Sequence, residues 1–124
     1  MSLPKDLKYT KDHEWVKIDG NVATIGITDY AQGELGDIVF VEIETEGEEL
    51  EEGDVFGTIE AVKTVSDLFM PITGKIEAFN TDLESQPELV NEDPYGKGWM
   101  IKIKFDGELS DALMDAGTYQ ELIG

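Results

Sequence analysis

Val55-Phe56-Gly57-Thr58-Ile59, Glu60-Ala61-Val62-Lys63-Thr64-Val65-Ser66-Asp67 and Leu68-Phe69-Met70-Pro71-Ile72 are three consecutive pieces of sequence whose reading decides the fold. The outer two are rich in β-branched and aromatic residues and read as strands. The residues between them are too few for a helix and suit a tight turn. The stretch therefore predicts a hairpin with Lys63 at its tip, its ammonium in water and its backbone held by two paired strands. A lysine at a turn is ordinarily only solvated, so the significance of Lys63 depends on the rest of the chain.

Toward the N-terminus the pattern stays that of strands. Leu7–Thr10 reads as a short edge strand, and His13–Ile18 alternates before the hairpin turn Asp19-Gly20-Asn21. Val22–Ile27 returns as its partner. Strand period then breaks: Asp29 and Gln32 have capping-box spacing, Ile27, Ala31 and Leu35 recur every four residues, and Gly36 follows as a stop. A short helix is expected at 29–35 with that stripe turned inward. Asp37–Ile43 is the strongest strand, apolar on both faces, and it runs into an acidic turn, Glu44–Glu52, with a very short strand near Leu50.

Beyond the hairpin, Pro71 cannot donate to a ladder and should mark a break. Gly74–Phe79 alternates again, Thr81–Val90 reads as a turn with one helical turn, and Asn91–Gly98 is loop by composition. Trp99, Ile101, Ile103 and Phe105 face inward between Lys102 and Lys104. After Gly107 the period is helical, with Leu109 and Leu113 in one helix and Tyr119, Leu122 and Ile123 in a second. Roughly seven or eight short strands of this kind imply a small sandwich or barrel.

The composition removes most chemistry. At 124 residues the chain is expected to be one domain, residues 1–124, with a helical extension from about 107 to 124. It has no cysteine, no arginine and one histidine, His13. Disulfides, thiolate nucleophiles, multi-histidine metal sites and bidentate guanidinium clamps are therefore excluded. Twenty-eight acidic residues against nine lysines give a net charge of −19, which repels nucleic acid and anionic membranes and favours basic patches on proteins. So many carboxylates form close pairs by chance, and none is marked by an apolar setting. No metal set, P-loop or dinucleotide fingerprint is present. The opening residues show no signal or transit pattern, so a cytoplasmic protein is expected. What remains is a protein without catalytic equipment that presents one lysine on a rigid hairpin.

Several blocks in order resemble the H-protein family of the glycine cleavage system: His13-Glu14-Trp15-Val16, Gly26–Ala31, Leu35–Val41, Glu60-Ala61-Val62-Lys63, Ser66-Asp67-Leu68, Pro71-Ile72-Thr73-Gly74, Pro87–Asn91, and Pro94-Tyr95-Gly96 with Gly98–Ile101. The family also has a glutamate three before the lysine, here Glu60, and glycines sixteen before and eleven after, here Gly47 and Gly74. The resemblance assigns these three to recognition by the enzyme that modifies the lysine. It implies a mainly β fold, the barrel-sandwich hybrid, a flattened sandwich of two antiparallel sheets with a short internal helix and C-terminal helices.

The resemblance further implies a non-catalytic carrier with lipoic acid in amide linkage to Lys63. A lipoate ligase or a lipoyl/octanoyl transferase would attach the group. A PLP-dependent glycine decarboxylase (P protein) would load the aminomethyl group of glycine. A tetrahydrofolate-dependent aminomethyltransferase (T protein) would unload it, and dihydrolipoyl dehydrogenase (L protein) would reoxidise the dithiol. The loaded arm would rest in a cleft where Glu14 and Asp67, with Asp12 as a weaker partner, hold the amine and Ile27, Ala31 and Leu35 form an apolar wall. Those three also fit plain core packing, and His13 fits a structural role. Rival readings are a biotinyl carrier, a lipoyl domain of a 2-oxo acid dehydrogenase, an H-like lipoate donor and an acidic sandwich that only binds protein. Val62 and Thr64 stand where a biotinyl site has methionines.

Overall fold

The computed structural model describes residues 3–106, 109 and 113–124. Nine strands are present among these residues: β1 (Lys8–Tyr9), β2 (Glu14–Asp19), β3 (Val22–Ile27), β4 (Ile38–Glu42), β5 (Glu49–Leu50), β6 (Val55–Ala61), β7 (Val65–Phe69), β8 (Gly74–Phe79) and β9 (Ile101–Lys104). Four short helices accompany them: α1 (Asp29–Leu35), α2 (Asp82–Ser85), α3 (Leu89–Glu92) and α4 (Ala116–Ile123). The strands form two antiparallel sheets. One has six strands in the order β1-β2-β3-β9-β8-β5, and the other has three in the order β4-β6-β7. The expected two-sheet fold is what the chain adopts.

The larger sheet buries side chains on both faces, and strict alternation makes this possible. On one face Val16, Ile25, Ile76, Ile101 and Ile103 join Val41, Phe56, Ile59, Ala61 and Leu68 of the smaller sheet in the main core. On the other face Trp15 and Tyr9 join Leu7 and Tyr119 in a second cluster beneath α4. Val16 and Trp15 are neighbours in sequence, yet each is at most 2 % exposed, in different cores. Full burial of a large apolar side chain contributes roughly 1.5–3 kcal/mol. The Trp15 indole N–H also donates to Pro94 O at 2.8 Å, so the ring stays satisfied at its polar end.

Four sequence expectations need correction. The strand after the lysine begins at Val65 and ends at Phe69, not at Leu68 to Ile72, because Pro71 and the backbone around it leave the ladder early. Helix α1 spans the expected residues, but its cap is Thr28, whose hydroxyl accepts from Ala31 N–H. Gln32 instead donates to the side chain of Asp29, one residue inside the helix. The segment 81–92 holds two helical turns, α2 and α3, with Leu83 and Val90 buried beneath them. The described residues hold nine strands against the seven or eight expected, β1 and β5 being only two residues long. At the C-terminus α4 is the expected second helix, and Met114 bridges to Tyr9 just before it. The expected first helix lies largely on 107, 108 and 110–112, outside the described residues.

The space open to a Cβ differs at two glycines. A Cβ at Gly74 would lie 2.5 Å from Lys104 O and 2.6 Å from Ile103 Cγ2, so the strands would have to part. Gly33, exposed in α1, has nothing within 4 Å of that position. We expect Gly74→Ala to lower stability by about 1–3 kcal/mol and Gly33→Ala to raise it by about 0.5–1 kcal/mol. Urea denaturation midpoints check both; a Gly74→Ala midpoint equal to the parent's would refute the packing argument.

Candidate functional site

Lys63 stands at the tip between β6 and β7. Glu60 pairs with Val65, and Ala61 N–H donates to Thr64 O at 2.8 Å, leaving Val62 and Lys63 as a two-residue loop. Neither takes a positive φ. Two-residue hairpins favour primed turns because unprimed ones splay the strands. Here a third strand resists the splaying: Val62 N–H donates to Asp37 O at 3.1 Å, just before β4, and Ile38 pairs with Ala61. Lys63 itself is exposed. The tip is thus fixed by backbone on both sides while its side chain stays free to react.

Glu60 points away from the core. It pairs with Phe40 on one side and Val65 on the other, and the next outward row is Glu42, Thr58 and Asp67. Glu60, Asp67 and Lys63 therefore share the outer face and end of the smaller sheet. Gly47 and Gly74 do not. Both lie beyond the opposite end of β6, a strand of seven residues and so about 20 Å long. Each has a local backbone role there. Gly47 has φ 89° and donates to Ile76 O, and Gly74 lets β8 approach β9.

Glu14 is 2 % exposed, at the start of β2. Its turn is set by His13, the one described non-glycine residue with positive φ, at 66°. The turn holds because His13 N–H donates to Thr10 O and His13 O accepts from Thr28 N–H. The His13 ring meets the Tyr119 hydroxyl at 2.9 Å and lies against Tyr30, a structural role. One carboxyl oxygen of Glu14 accepts from Phe69 N–H at 2.9 Å, and the other meets the Thr10 hydroxyl at 3.4 Å. β7 is an edge strand, so Glu14 fastens the free edge of the lysine hairpin to the larger sheet. Burial pushes its carboxyl up to about 8; the Phe69 amide pulls it back, and the nearby charge of Asp12 adds to the rise.

A cavity of about 200 Å³ opens beside Glu14, its wall formed by Thr10, Lys11 and Asp12 on one side and by Glu52, Gly53, Met70, Pro71 and Leu113. Asp12 and Glu14 both line it. Asp67 lies two residues up β7 from Phe69, toward Lys63. Ile27 and Ala31 are buried in the main core and Leu35 is half-buried against it, and none of the three lines this cavity. Sequence reasoning missed Thr10, Phe69 and Met70. Thr10 had a signal, since its hydroxyl accepts from the amides of Asp12 and Glu14 in a side-chain turn. The Phe69 amide had none, because its partner is 55 residues away.

The raised carboxyl makes stability pH-dependent with a definite sign. Below the ordinary carboxylate range both folded and unfolded chains hold the Glu14 proton, and the group costs nothing. As pH rises to about 8 the unfolded chain ionises it freely and the folded chain resists, so stability falls across that window and then levels. Glu14→Gln, which keeps an acceptor for Phe69, should flatten the fall of Tm between about pH 5 and pH 8 relative to the parent. Parallel profiles for the two proteins would remove Glu14 as the cause.

Against known proteins, residues 7–124 match the family model described as glycine cleavage H-protein. The chain is 55% identical over 125 residues to a glycine cleavage system H protein of Staphylococcus haemolyticus, covering 100% of this chain and 99% of the relative. It superposes on the crystal structure of a glycine cleavage system H protein from Mycobacterium marinum with a TM-score of 0.90 at 37% identity, covering 98% and 99% of the two chains. With its hairpin lysine, its two-sheet fold and this full-length likeness, the chain belongs to the glycine cleavage H-protein family.

Proposed function

We propose that this chain is a non-catalytic lipoyl carrier of the glycine cleavage system, with Lys63 as the site of attachment. The observation that carries the reading is the exposed Lys63 on a backbone-fixed tip, three residues after the outward Glu60, in a chain of this family. The residues present fit the group. The lysine is free at the surface, and the edge of β7 leads from it past Asp67 to the cavity at Glu14. Attachment joins Nζ to an activated acyl carbon as an amide; of the two protons the ammonium loses, one leaves with the departing activating group and one goes to solvent, and the positive charge is lost. When bound, the lipoyl group supplies a dithiolane able to carry the aminomethyl group of glycine between enzymes.

The chain's own residues would hold and shelter that arm. Glu14 is mostly protonated near neutral pH because it is buried. An entering ammonium favours the carboxylate, so its arrival would drive the Glu14 proton out and leave a charge-assisted contact of roughly 1.5–3 kcal/mol. Asp12 at the cavity and Asp67 on the strand leading to it would add negative potential, and Met70 and Leu113 would exclude water. Ile27, Ala31 and Leu35 would support the wall from the core. Glu60, Gly47 and Gly74 would serve the attaching enzyme, Glu60 by contact and the two glycines through the backbone they shape. The partners are the PLP-dependent decarboxylase, the aminomethyltransferase, dihydrolipoyl dehydrogenase and a lipoate ligase or lipoyl/octanoyl transferase, acting in the cytoplasm. No described helix is long and apolar enough to cross a membrane.

Co-expression with a lipoate ligase and supplied lipoate should give one lipoyl adduct by intact mass, absent in Lys63→Ala. A folded chain without an adduct would overturn the carrier reading. The lipoylated chain should also support glycine–bicarbonate exchange by the decarboxylase. Lipoylated protein that gives no exchange would remove the glycine cleavage role while leaving the attachment intact.

A further inference from the structure

Among the described residues seven large hydrophobic side chains are exposed, and four of them, Val39, Phe40, Val62 and Val65, crowd the corner that carries Lys63. Their exposures run from 41 % to 71 %. Scattered apolar residues need no explanation, but a cluster of this kind marks a surface that something covers. The fold assembles it deliberately. A bulge between Ile38 and Phe40 turns both Val39 and Phe40 outward. Phe40 and Val65 then flank Glu60 across the sheet, and Val62 stands beside the lysine on the loop. Asp37, Glu42 and Asp67 are exposed around the rim.

We propose that Val39, Phe40, Val62 and Val65, centred on Glu60, form the docking surface for the enzyme that acylates Lys63. This rests on the carrier reading and deepens it. The choice of occupant follows from reach. An enzyme that forms a bond at Nζ must bring its active site within one lysine side chain of the hairpin backbone, and so it covers Val62 and Val65. An enzyme that acts on the far end of an attached arm has no such need. A second copy of the chain is opposed by charge, since the acidic rim on a molecule of net charge −19 would face its own image. The partner surface is therefore apolar at its centre and basic at its edge, and Glu60 in the middle fixes register.

The test is the kinetics of lipoate attachment by a purified lipoate ligase with ATP and lipoate, using Phe40→Ala, Val65→Ser and Val62→Ser. Ile18→Ala, at an exposed apolar residue on β2, is the control. The expected result is a rise in KM of about tenfold for the patch variants, with kcat and Tm near the parent's and the control unchanged. Raising ionic strength should increase KM for the parent as well. Val62→Ser lies on the loop outside the strands, so it reports even if Phe40→Ala fails to fold. Parent-like KM in every folded patch variant overturns the surface alone. Failure of the parent to be acylated overturns the carrier reading and the surface with it. A concentration-dependent dimer of the parent, abolished in the patch variants, assigns the surface to a second copy and overturns the proposal.

Discussion

The structure depends on the packing of the three-stranded sheet against the six-stranded one. A two-stranded hairpin alone is at best marginal in water, and the lysine hairpin has a turn that does not match strand twist. Phe56, Ile59, Ala61 and Leu68 bury its inner face among Val16, Ile25, Ile76, Ile101 and Ile103. β4 completes the sheet on one side, and Asp37 takes the Val62 amide at the tip. Only because this face is anchored can the other face and the tip remain in solvent without losing shape.

Glu14 serves the same constraint at the opposite edge. β7 has no strand beyond it, and an unpaired edge amide near the core costs free energy unless something accepts it. A buried carboxyl does so for Phe69. The cost appears as a raised pKa. The fastening contact and the raised pKa belong to one side chain.

Much of the fold was legible in the sequence. The turn at Gly20-Asn21, the stop at Gly36 and the short strand near Leu50 are local signals, and each formed where its residues indicated; the alternation expected from Trp99 holds only from Ile101, since Met100 is buried in the main core and Trp99 is half-buried against the second cluster. The errors were local signals outweighed by tertiary ones. Thr28 took the helix cap from Asp29 because its backbone was already extended at the end of β3, and its hydroxyl also meets Tyr119. The strand after Lys63 started early because pairing with Glu60 begins at Val65. Ile27, Ala31 and Leu35 share one face, as their spacing indicated, and that face packs in or against the main core.

The sequence by itself determined the chemistry available: no thiol, no guanidinium, one histidine, an excess of carboxylates and one lysine set between two strand-forming runs. It also determined the order of strands and turns, because period and turn residues act over a few positions. Tertiary structure alone decided which carboxylates matter. Glu14 is one acid among twenty-eight until β2 is laid beside β7 and water is excluded around it. It also decided that Phe40, strand-like and apolar in sequence, faces solvent beside Glu60, because a single bulge reverses the side to which the residues after Ile38 point. Burial and side-chain facing are properties of contacts between distant segments, and no local pattern encodes them.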